Sequence, residues 1–405
     1  MAPVTRIFGM ETEDEQKMRN RGAACIVGAY EHPLRRAPDK SVAQLHAEVA
    51  RGAIEDAGLA KDDIDGYFCA GDAPGQDAFS MAEYLDLRLR HVDTTNCGGS
   101  SAIAHVGHAA QAIAMGKCSV ALITLAGRPY SEGSSGLQGR ERGNTVPEAP
   151  FEVPFGPTTV NMYAMVAMRH MHEFGTTSEQ LAWVKVAASH HAAHNPNALL
   201  RQRLSVSDVL DSPMVSDPLH RLDCCVVTDG GGALIVARPE VAATLGRPSV
   251  NVIGAAESIG HQGGRVFDLT RSAAISSGTR AFAEAGIKPA DIKYASIYDS
   301  FTITVIIQLE DLGFCAKGQG GRFVSDGNLI SGTGALPFNT DGGGLCNNHP
   351  ANRGGITKVI EAVRQLRGEA HPAVQVPHCD LAIAHGTGGS LANRHGSATL
   401  ILERR

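Results

Sequence analysis

Two stretches of this 405-residue chain repeat one pattern: AIEDAGLAKDDIDGYF at 53–68 and AFAEAGIKPADIKYAS at 281–296. Each contains the end of a helix, a glycine (Gly58 or Gly286) suited to a left-handed helix cap, a short turn, and an aspartate that leads into a strand. The two copies lie roughly half a chain apart. This arrangement predicts a duplicated α/β domain whose halves pack as a pseudo-symmetric pair.

The rest of the chain alternates apolar runs with helical patterns, as is typical of an α/β fold. Apolar runs bounded by turn residues predict strands at 23–30, 67–71, 119–125, 232–238, 250–258, 294–300, 381–386 and 397–403. Apolar residues at a period of 3.6 predict helices at 41–58, directly after Cys97, at 269–286 and at 357–368.

These elements divide the chain into an N-terminal half at 1–245 and a C-terminal half at 246–405. Residues from about 127 to 220 interrupt the first half. They contain GRPYSEGSSGLQGRERGN (127–144), which predicts a loop, and VNMYAMVAMRHMHEFG (160–175), which predicts a helix. We expect this insertion to lie over one face, where it could cover a substrate.

Composition excludes several classes of protein. Hydrophobic residues make up 43% and charged residues 19% of the chain, which is typical of a soluble globular protein. The net charge of −6 and the lack of a basic cluster argue against nucleic acid as a partner. The N-terminus has no apolar segment typical of a signal peptide, and no run of about 18 apolar residues could span a membrane. Nine scattered cysteines without a CxxC pair predict reduced thiols in a cytoplasmic protein and no zinc ribbon within this chain.

Cys97 is the first candidate for catalysis. It stands in TTNCGGSSAIAHVGHAAQAIAMG (94–116), before two glycines, two serines and a helix of small residues. A helix N-terminus can lower the pKa of a thiol, and accessible backbone N–H groups after it can hold an oxyanion. The alternative is a small buried thiol at a strand–helix turn, which is the commoner role of cysteine.

Three further candidates lie in the C-terminal half. His349 precedes a proline in a loop that opens a helix, where a rigidly held histidine can act as general base or acid. His385 ends a strand before a glycine-rich loop, where α/β proteins bind ligands, and it could donate to an oxyanion. Tyr298 and Asp299 lie at a strand end, and a tyrosine hydroxyl can serve as acid, base or oxyanion donor. The alternatives are that His349 is an exposed loop histidine, that His385 is an incidental histidine in a tight turn, and that Tyr298 is a core tyrosine.

Other polar clusters are weaker candidates. His190 and His194 lie one helical turn apart, which suits a metal, but no usual ligand pattern accompanies them, so we predict no metal site. Cys224 and Cys225 in LDCCVVTDGGGA (222–233) are predicted to be structural. The TDGGG segment is predicted to be a turn, because no GKS or GxGxxG follows it.

The order and spacing of these motifs resemble the thiolase superfamily, especially the sterol-carrier-protein-type thiolases, over nearly the whole chain. The resemblance rests on the duplicated half, Cys97 before its helix, the segment HPANRGGITKVIEAVRQLRGEA (349–370) and the last glycine-rich loop (383–396). It implies a duplicated thiolase fold with two βαβαβαββ halves in a five-layer αβαβα arrangement and an inserted loop domain. It also implies a cysteine that takes up an acyl group, a histidine that activates it, a second acid/base group and two oxyanion holes.

Three features depart from the typical thiolase pattern. The usual nucleophile position falls on Gly99, so Cys97 can be the nucleophile only if the turn at Gly98 and Gly99 is bulged. The segment YDSF puts Tyr298 where other thiolases carry the histidine of HDCF. The last loop carries His385 where many thiolases carry a second cysteine.

A sister group, the thiolase-like steroid side-chain aldolases, resembles this chain in YD-F, LDCC, QLE-LGFC and the GGG turn. Members of that group lack the nucleophilic cysteine and are thought to use tyrosines for retro-aldol cleavage of a β-hydroxyacyl-CoA. They work with a small partner that has a zinc ribbon and an OB fold. This chain shares features of both groups, because it keeps a cysteine and the HP histidine.

We therefore expect a cytoplasmic homodimer that acts on an acyl-CoA, with coenzyme A as co-substrate and no permanently bound cofactor. The leading hypothesis is an acyl-CoA C-acyltransferase (thiolase) that cleaves or forms a C–C bond in a β-ketoacyl-CoA. Cys97 is then the nucleophile and His349 its base, and His385 and Tyr298 are the acid/base and oxyanion groups. The alternatives are a retro-aldolase with Tyr298 as acid/base, and an inactive scaffold for an acyl-CoA-binding partner. The strand at 119–125 is expected to contact the second copy, and a zinc-ribbon/OB-fold subunit is the expected further partner.

Overall fold

A computed structural model gives the fold of the chain. It describes residues 21–134, 147, 149–260, 268–391 and 393–405. The prediction about a signal peptide and the part of the predicted loop from residue 135 onward lie outside these residues. Within the described ranges, no helix combines the length and the apolar character needed to cross a bilayer.

The strands of the described residues form one mixed sheet of nine and a separate ribbon of two. They are β1 (Cys25–Glu31), β2 (Gly66–Phe68), β3 (His91–Asp93), β4 (Val120–Gly127), β5 (Met214–Ser216), β6 (Leu219–His220), β7 (Gly230–Ala237), β8 (Val250–Gly260), β9 (Tyr294–Ile297), β10 (Leu381–Ser390) and β11 (Asn393–Arg404). The order in the large sheet is β3-β2-β4-β7-β1-β8-β11-β10-β9, and β5 pairs with β6. Each predicted strand is present, with shifted ends.

The sheet order contains one four-strand pattern twice. The N-terminal copy is β2-β4-β7-β1 and the C-terminal copy is β9-β10-β11-β8. The first pair of each copy is parallel and the other two pairs are antiparallel. The copies join where β1 pairs with β8 through Cys25 and Ile26. This repetition confirms the predicted duplication, while the exact boundary between residues 245 and 246 stays a prediction.

The helices of the described residues are α1 (Val42–Ala57), α2 (Ala78–Tyr84), α3 (Ser101–Ala114), α4 (Ala149–Glu152), α5 (Thr159–Phe174), α6 (Ser178–Ala192), α7 (Val206–Leu210), α8 (Pro239–Ala242), α9 (Ala274–Ala285), α10 (Thr302–Asp311), α11 (Gly320–Val324) and α12 (Gly355–Arg367). In both sequence repeats the helix ends at the predicted glycine, because Gly58 and Gly286 each have a φ of 69°, which glycine adopts without strain. A short 3₁₀ turn then leads into β2 or β9.

Helices alternate with the two halves of the nine-stranded sheet in five layers. On the outside, α1 packs on β1, β4 and β7, and α9 packs on β8 and β11. Between the two halves of the sheet, α3 and α12 contact each other and pack on strands of both copies. Because β4 and β7 are covered on both faces, all their residues are buried. The arrangement confirms the expected αβαβα fold.

The insertion contains α4 to α7 and the β5–β6 ribbon. The helix predicted at 160–175 is α5, and both α5 and α6 pack on α10 of the C-terminal half. The strand predicted to contact a second copy is β4, which lies inside the sheet between β2 and β7. Its long apolar run is therefore explained by burial within one chain.

Candidate active site

Tyr298 follows β9 at its carboxyl end and lies beside His349. Its backbone N–H donates to the carbonyl of His385 on β10 (3.0 Å). Its phenol oxygen lies 3.0 Å from Nε2 of His349 and 3.2 Å from the carbonyl oxygen of Ala351. Tyr298 is only 5% exposed, so these protein groups are the main partners of the hydroxyl. The structure thus brings two of the four predicted site residues together as a hydrogen-bonded pair.

Burial sets the protonation states of this pair. Loss of hydration disfavours a charge on either group, which lowers the pKa of His349 to about 4 and raises the pKa of Tyr298 well above its usual value. At neutral pH, Tyr298 is therefore a neutral phenol and His349 an uncharged imidazole. The phenol can donate to the carbonyl of Ala351, and it can donate to Nε2 of His349 when the imidazole carries its proton on Nδ1. In that tautomer a proton donor and a proton acceptor are in direct contact.

The segment LDCCVVT (222–228) forms hydrogen bonds to the backbone of His349 and to the loop after Tyr298. The hydroxyl oxygen of Thr228 accepts the backbone N–H of His349 (2.9 Å), and the hydroxyl donates to Oδ1 of Asn348 (2.8 Å). Earlier in the same segment, the N–H of Cys225 donates to the carbonyl of Ser300 (2.9 Å). One stretch of backbone is therefore bonded to both loops that carry the pair, which gives LDCCVVT a positioning role.

Asp299 anchors the turn that leads to His349. Residues Gly343–Asn347 form a π-helical turn. The Asp299 carboxylate accepts the N–H groups of Gly344 (2.8 Å) and Leu345 (3.1 Å). It also accepts a hydrogen bond from the ammonium group of Lys358 on α12 (2.9 Å). The side chains of Asp299 and Lys358 are 0% and 2% exposed, so the ion pair is fully inside the protein.

Gly99 occupies the position where the resemblance puts the usual thiolase nucleophile, and a side chain has no room there. A Cβ atom built on Gly99 would lie 2.5 Å from Cζ of Tyr298 and would also overlap the carbonyl oxygen of Thr387. The second obstacle is backbone and cannot rotate away. The ring of Tyr298 therefore fills the space that a side chain at position 99 would need.

Cys97 lies before a 3₁₀ turn, Gly98–Ser100, and is half-buried. Its side chain packs against the apolar cluster that surrounds α3 and α12. Burial is the main cause that raises the pKa of the thiol, which is opposite to the lowering expected from a helix start. Among the hydrogen bonds of the described residues, the imidazole of His349 is linked to Tyr298 and not to Cys97.

His385 contacts the pair through its backbone, while its ring is bonded elsewhere. The side chain is 0% exposed, and Nδ1 lies 2.9 Å from the hydroxyl of Thr399 on β11. Burial lowers the pKa of His385 to about 3, so the ring is uncharged at neutral pH. Its predicted role as an acid/base or oxyanion group stays a prediction.

His194, one of the two histidines whose spacing suits a metal, contacts other side chains. Nε2 of His194 accepts a hydrogen bond from the guanidinium of Arg203 (3.0 Å), and its ring packs against that of His371. In the part of the chain that the structure describes, no cluster of three or more His, Cys, Asp or Glu side chains could hold a metal ion. His194 thus contacts Arg203 and His371.

Sequence analysis missed Lys358 and Thr228, and it noted Asp299 only as a neighbour of Tyr298. The helical pattern around Lys358 gave no sign that a lysine would be buried, which is rare. One signal was available: an aspartate directly after a buried strand needs a cation or backbone N–H partners. That requirement could have pointed to a lysine on the helix after His349.

Comparisons with known proteins place this chain in a family. The family described as "Thiolase C-terminal domain-like" matches residues 264–404. A steroid side-chain-cleaving aldolase from Thermomonospora curvata is 36% identical over 86% of this chain and 91% of its own length. An acetyl-CoA acetyltransferase from Methanothermobacter thermautotrophicus is 32% identical over 91% of this chain and 97% of its own length. The solved structure described as "Ltp2-ChsH2(DUF35) aldolase" has a TM-score of 0.84 at 33% identity, covering 95% of this chain and 98% of that chain.

The five-layer fold and these similarities define the class of protein: the chain belongs to the thiolase superfamily. Within it, the chain falls in the group of sterol-carrier-protein-type thiolases and thiolase-fold aldolases. The predicted family and fold are confirmed. The similar proteins are enzymes of two kinds, acetyltransferases and aldolases or lyases. Membership alone therefore leaves two reactions to be weighed.

Proposed function

We propose that this chain catalyses the retro-aldol cleavage of a β-hydroxyacyl-CoA, with Tyr298 as the acid/base group and His349 as its proton partner. The observation that carries the proposal is the 3.0 Å contact between the Tyr298 hydroxyl and Nε2 of His349, beside a Gly99 that has no room for a side chain. An acyl-enzyme needs a side-chain nucleophile within reach of its base. A retro-aldol step needs proton transfers but no nucleophile.

The proposed step transfers a net one proton from the substrate to the enzyme pair and breaks one C–C bond. The β-hydroxyl of the substrate gives its proton to the oxygen of Tyr298, while Tyr298 passes its own proton to Nε2 of His349. The Cα–Cβ bond breaks as the β-carbon becomes a carbonyl, and the electron pair is held as an enolate on the thioester. His349 then returns the proton through Tyr298 to Cα, which restores both groups.

The surroundings of the pair support this role. Burial keeps Tyr298 protonated in the resting enzyme, because its pKa lies well above the usual value. Since the pKa of His349 is about 4, the proton that it receives is held weakly and is readily returned to the enolate. The two pKa shifts therefore favour a short-lived proton transfer over a stable charged state.

A thiolase reaction at Cys97 is the second candidate, because Cys97 is partly accessible before α3 and one similar protein is an acetyl-CoA acetyltransferase. In this reaction Cys97 takes the acyl group of a β-ketoacyl-CoA, with His349 as base and His385 and Tyr298 as acid/base and oxyanion groups. By the resemblance, Cys97 can be the nucleophile only if the turn at Gly98 and Gly99 is bulged. An inactive scaffold has less support, because the donor–acceptor pair is retained.

We also propose that this chain works with a second subunit. The similar solved structure is described as Ltp2-ChsH2(DUF35) aldolase, which names two components. The chain has no CxxC pair, so a zinc ribbon would come from such a subunit. A cytoplasmic homodimer that binds acyl-CoA and has no permanently bound cofactor completes the proposal.

Two assays separate the reactions. The purified protein, alone and with a DUF35-type subunit, is incubated with a β-hydroxyacyl-CoA without free CoA, and with a β-ketoacyl-CoA plus free CoA. A retro-aldolase releases a carbonyl compound and a shorter acyl-CoA without using free CoA, and mass spectrometry of the Cys97 peptide finds no acyl group. Cleavage that requires free CoA, with an acyl group on Cys97, would support the thiolase instead.

A further inference from the structure

The buried ion pair of Asp299 and Lys358 takes no part in the steps above. We propose that Lys358 is a positioning residue: its ammonium group holds the carboxylate of Asp299 in place, so that Asp299 holds the turn at 343–345 and thereby holds His349 against Tyr298. The inference deepens the proposed function and rests on it, because it takes Tyr298 and His349 as the reacting pair.

The geometry connects the carboxylate of Asp299 to the imidazole of His349 through Gly344. Asp299 accepts the N–H groups of Gly344 and Leu345 and the ammonium of Lys358, at 2.8, 3.1 and 2.9 Å. A Cβ atom built on Gly344 would lie 3.1 Å from Oδ1 of Asp299 and 3.0 Å from Cδ2 of His349. Gly344 thus lies tightly between the two side chains. A displacement of the Asp299 carboxylate therefore moves Gly344, against which the imidazole of His349 packs.

The ammonium group of Lys358 is the cation that pairs with the carboxylate of Asp299 at this depth. Burying a carboxylate is costly unless it is paired and hydrogen-bonded, so loss of the ammonium group weakens the hold of Asp299 on its turn. Burial alone would lower the pKa of Lys358, but the charges of Asp299, Asp341 and Glu31 outweigh it and raise the pKa. Lys358 therefore remains an ammonium group inside the protein.

The two charges act on His349 with opposite signs. Burial is the main cause of its low pKa, Asp299 acts to raise that pKa, and Lys358 acts to lower it. Other titratable or charged groups also face the reacting pair or its turn: Tyr163, Cys225, Arg353, Lys185, Asp341 and Cys346. Without the ammonium group, proton uptake by His349 becomes easier. That protonation disables the site, because it removes the base.

The variant Lys358→Met tests this through the pH dependence of kcat/KM. Activity needs unprotonated His349, so in the unchanged enzyme it is lost as the pH falls through about 4. In Lys358→Met we expect this acid limb to move upward by about one pH unit or more. Lys358→Gln, which can still donate a hydrogen bond but has no charge, should shift in the same direction and serves if the methionine variant does not fold.

Lys185 on α6 is a second buried lysine that bonds to the same turn, and it gives the matched control. Nζ of Lys185 donates to the carbonyl of Leu345 (2.5 Å) and does not touch Asp299. Lys185→Met therefore removes an equally buried charge, and we expect lower stability with an acid limb at its original pH. A purely structural role for Lys358 predicts that both lysine variants behave alike.

An NMR titration of histidine-labelled protein measures the same property without any activity assay. Subtracting the spectrum of His349→Gln identifies the His349 signal, which should change at higher pH in both Lys358 variants. If neither proposed reaction is detected, this titration still tests the inference. Unchanged titration in both Lys358 variants, or an equal shift in Lys185→Met, would overturn it.

Discussion

The end of β9 and the start of α3 each present one group that could begin a reaction on a CoA thioester, and their surroundings differ. Tyr298 has an imidazole nitrogen of His349 3.0 Å from its hydroxyl. Cys97 uses its backbone carbonyl and N–H to bond with Ser100 and Ser101, and its thiol packs against the apolar cluster. The comparison teaches that a position before a helix does not by itself make a nucleophile, because a base within reach is also required.

The largest expected effect comes from removing the hydroxyl of Tyr298. Tyr298→Phe keeps the ring that fills the space beside Gly99 but removes the atom that bonds to His349. We expect kcat for cleavage of a β-hydroxyacyl-CoA to fall by about 10³-fold, since one acid/base group contributes about 10²- to 10⁴-fold. Steady-state kinetics measure the loss, and a thermal melt checks that the fold is kept. A decrease of less than about tenfold would speak against Tyr298 as the acid/base group.

A smaller effect is expected at His349. His349→Gln keeps a polar group near the phenol but cannot carry the proton, so kcat should fall by about 10²-fold. The acid limb near pH 4 should also disappear, because the group whose pKa is about 4 is gone. His194→Gln is the control, since His194 lies outside the site, and its pH profile should match that of the unchanged enzyme. An acid limb that survives in His349→Gln would assign it to another group.

The fold could largely be predicted from the sequence, because its elements are encoded locally. Gly58 and Gly286 were predicted as helix ends, and both have the left-handed conformation that such ends require. The strands that follow them were predicted from short apolar runs. The strand β3 was missed because its three residues, His91–Asp93, include only one apolar side chain and so form no apolar run.

The site was less predictable, because it depends on contacts between distant segments. Tyr298 and His349 were both identified, but they are 51 residues apart and nothing in the sequence shows that they bond. The resemblance put the usual nucleophile position at Gly99, yet only the packing shows that the ring of Tyr298 fills that space. The ion pair of Asp299 and Lys358 was not foreseen for the same reason, since a helical pattern does not show which lysine is buried.

The smallest effect is expected at Cys97, and it decides between the two regions. Cys97→Ala removes one sulfur from a half-buried side chain and leaves the backbone bonds to Ser100 and Ser101 in place. We expect kcat for retro-aldol cleavage to change by less than about threefold and the free energy of unfolding to fall by about 1 kcal/mol. Cys118→Ala is the matched control, because Cys118 is a buried thiol of the same cluster.

The order of the two variants is more informative than either value alone. If the acyl group is carried by Cys97, Cys97→Ala abolishes CoA-dependent cleavage by several orders of magnitude, because no other side chain replaces the sulfur. Tyr298→Phe would then be the milder change, and kinetics of both variants on both substrates would reveal it. General instability lowers the activity of any variant on both substrates alike. A reversal between Cys97→Ala and Tyr298→Phe can therefore come only from the chemistry of the site.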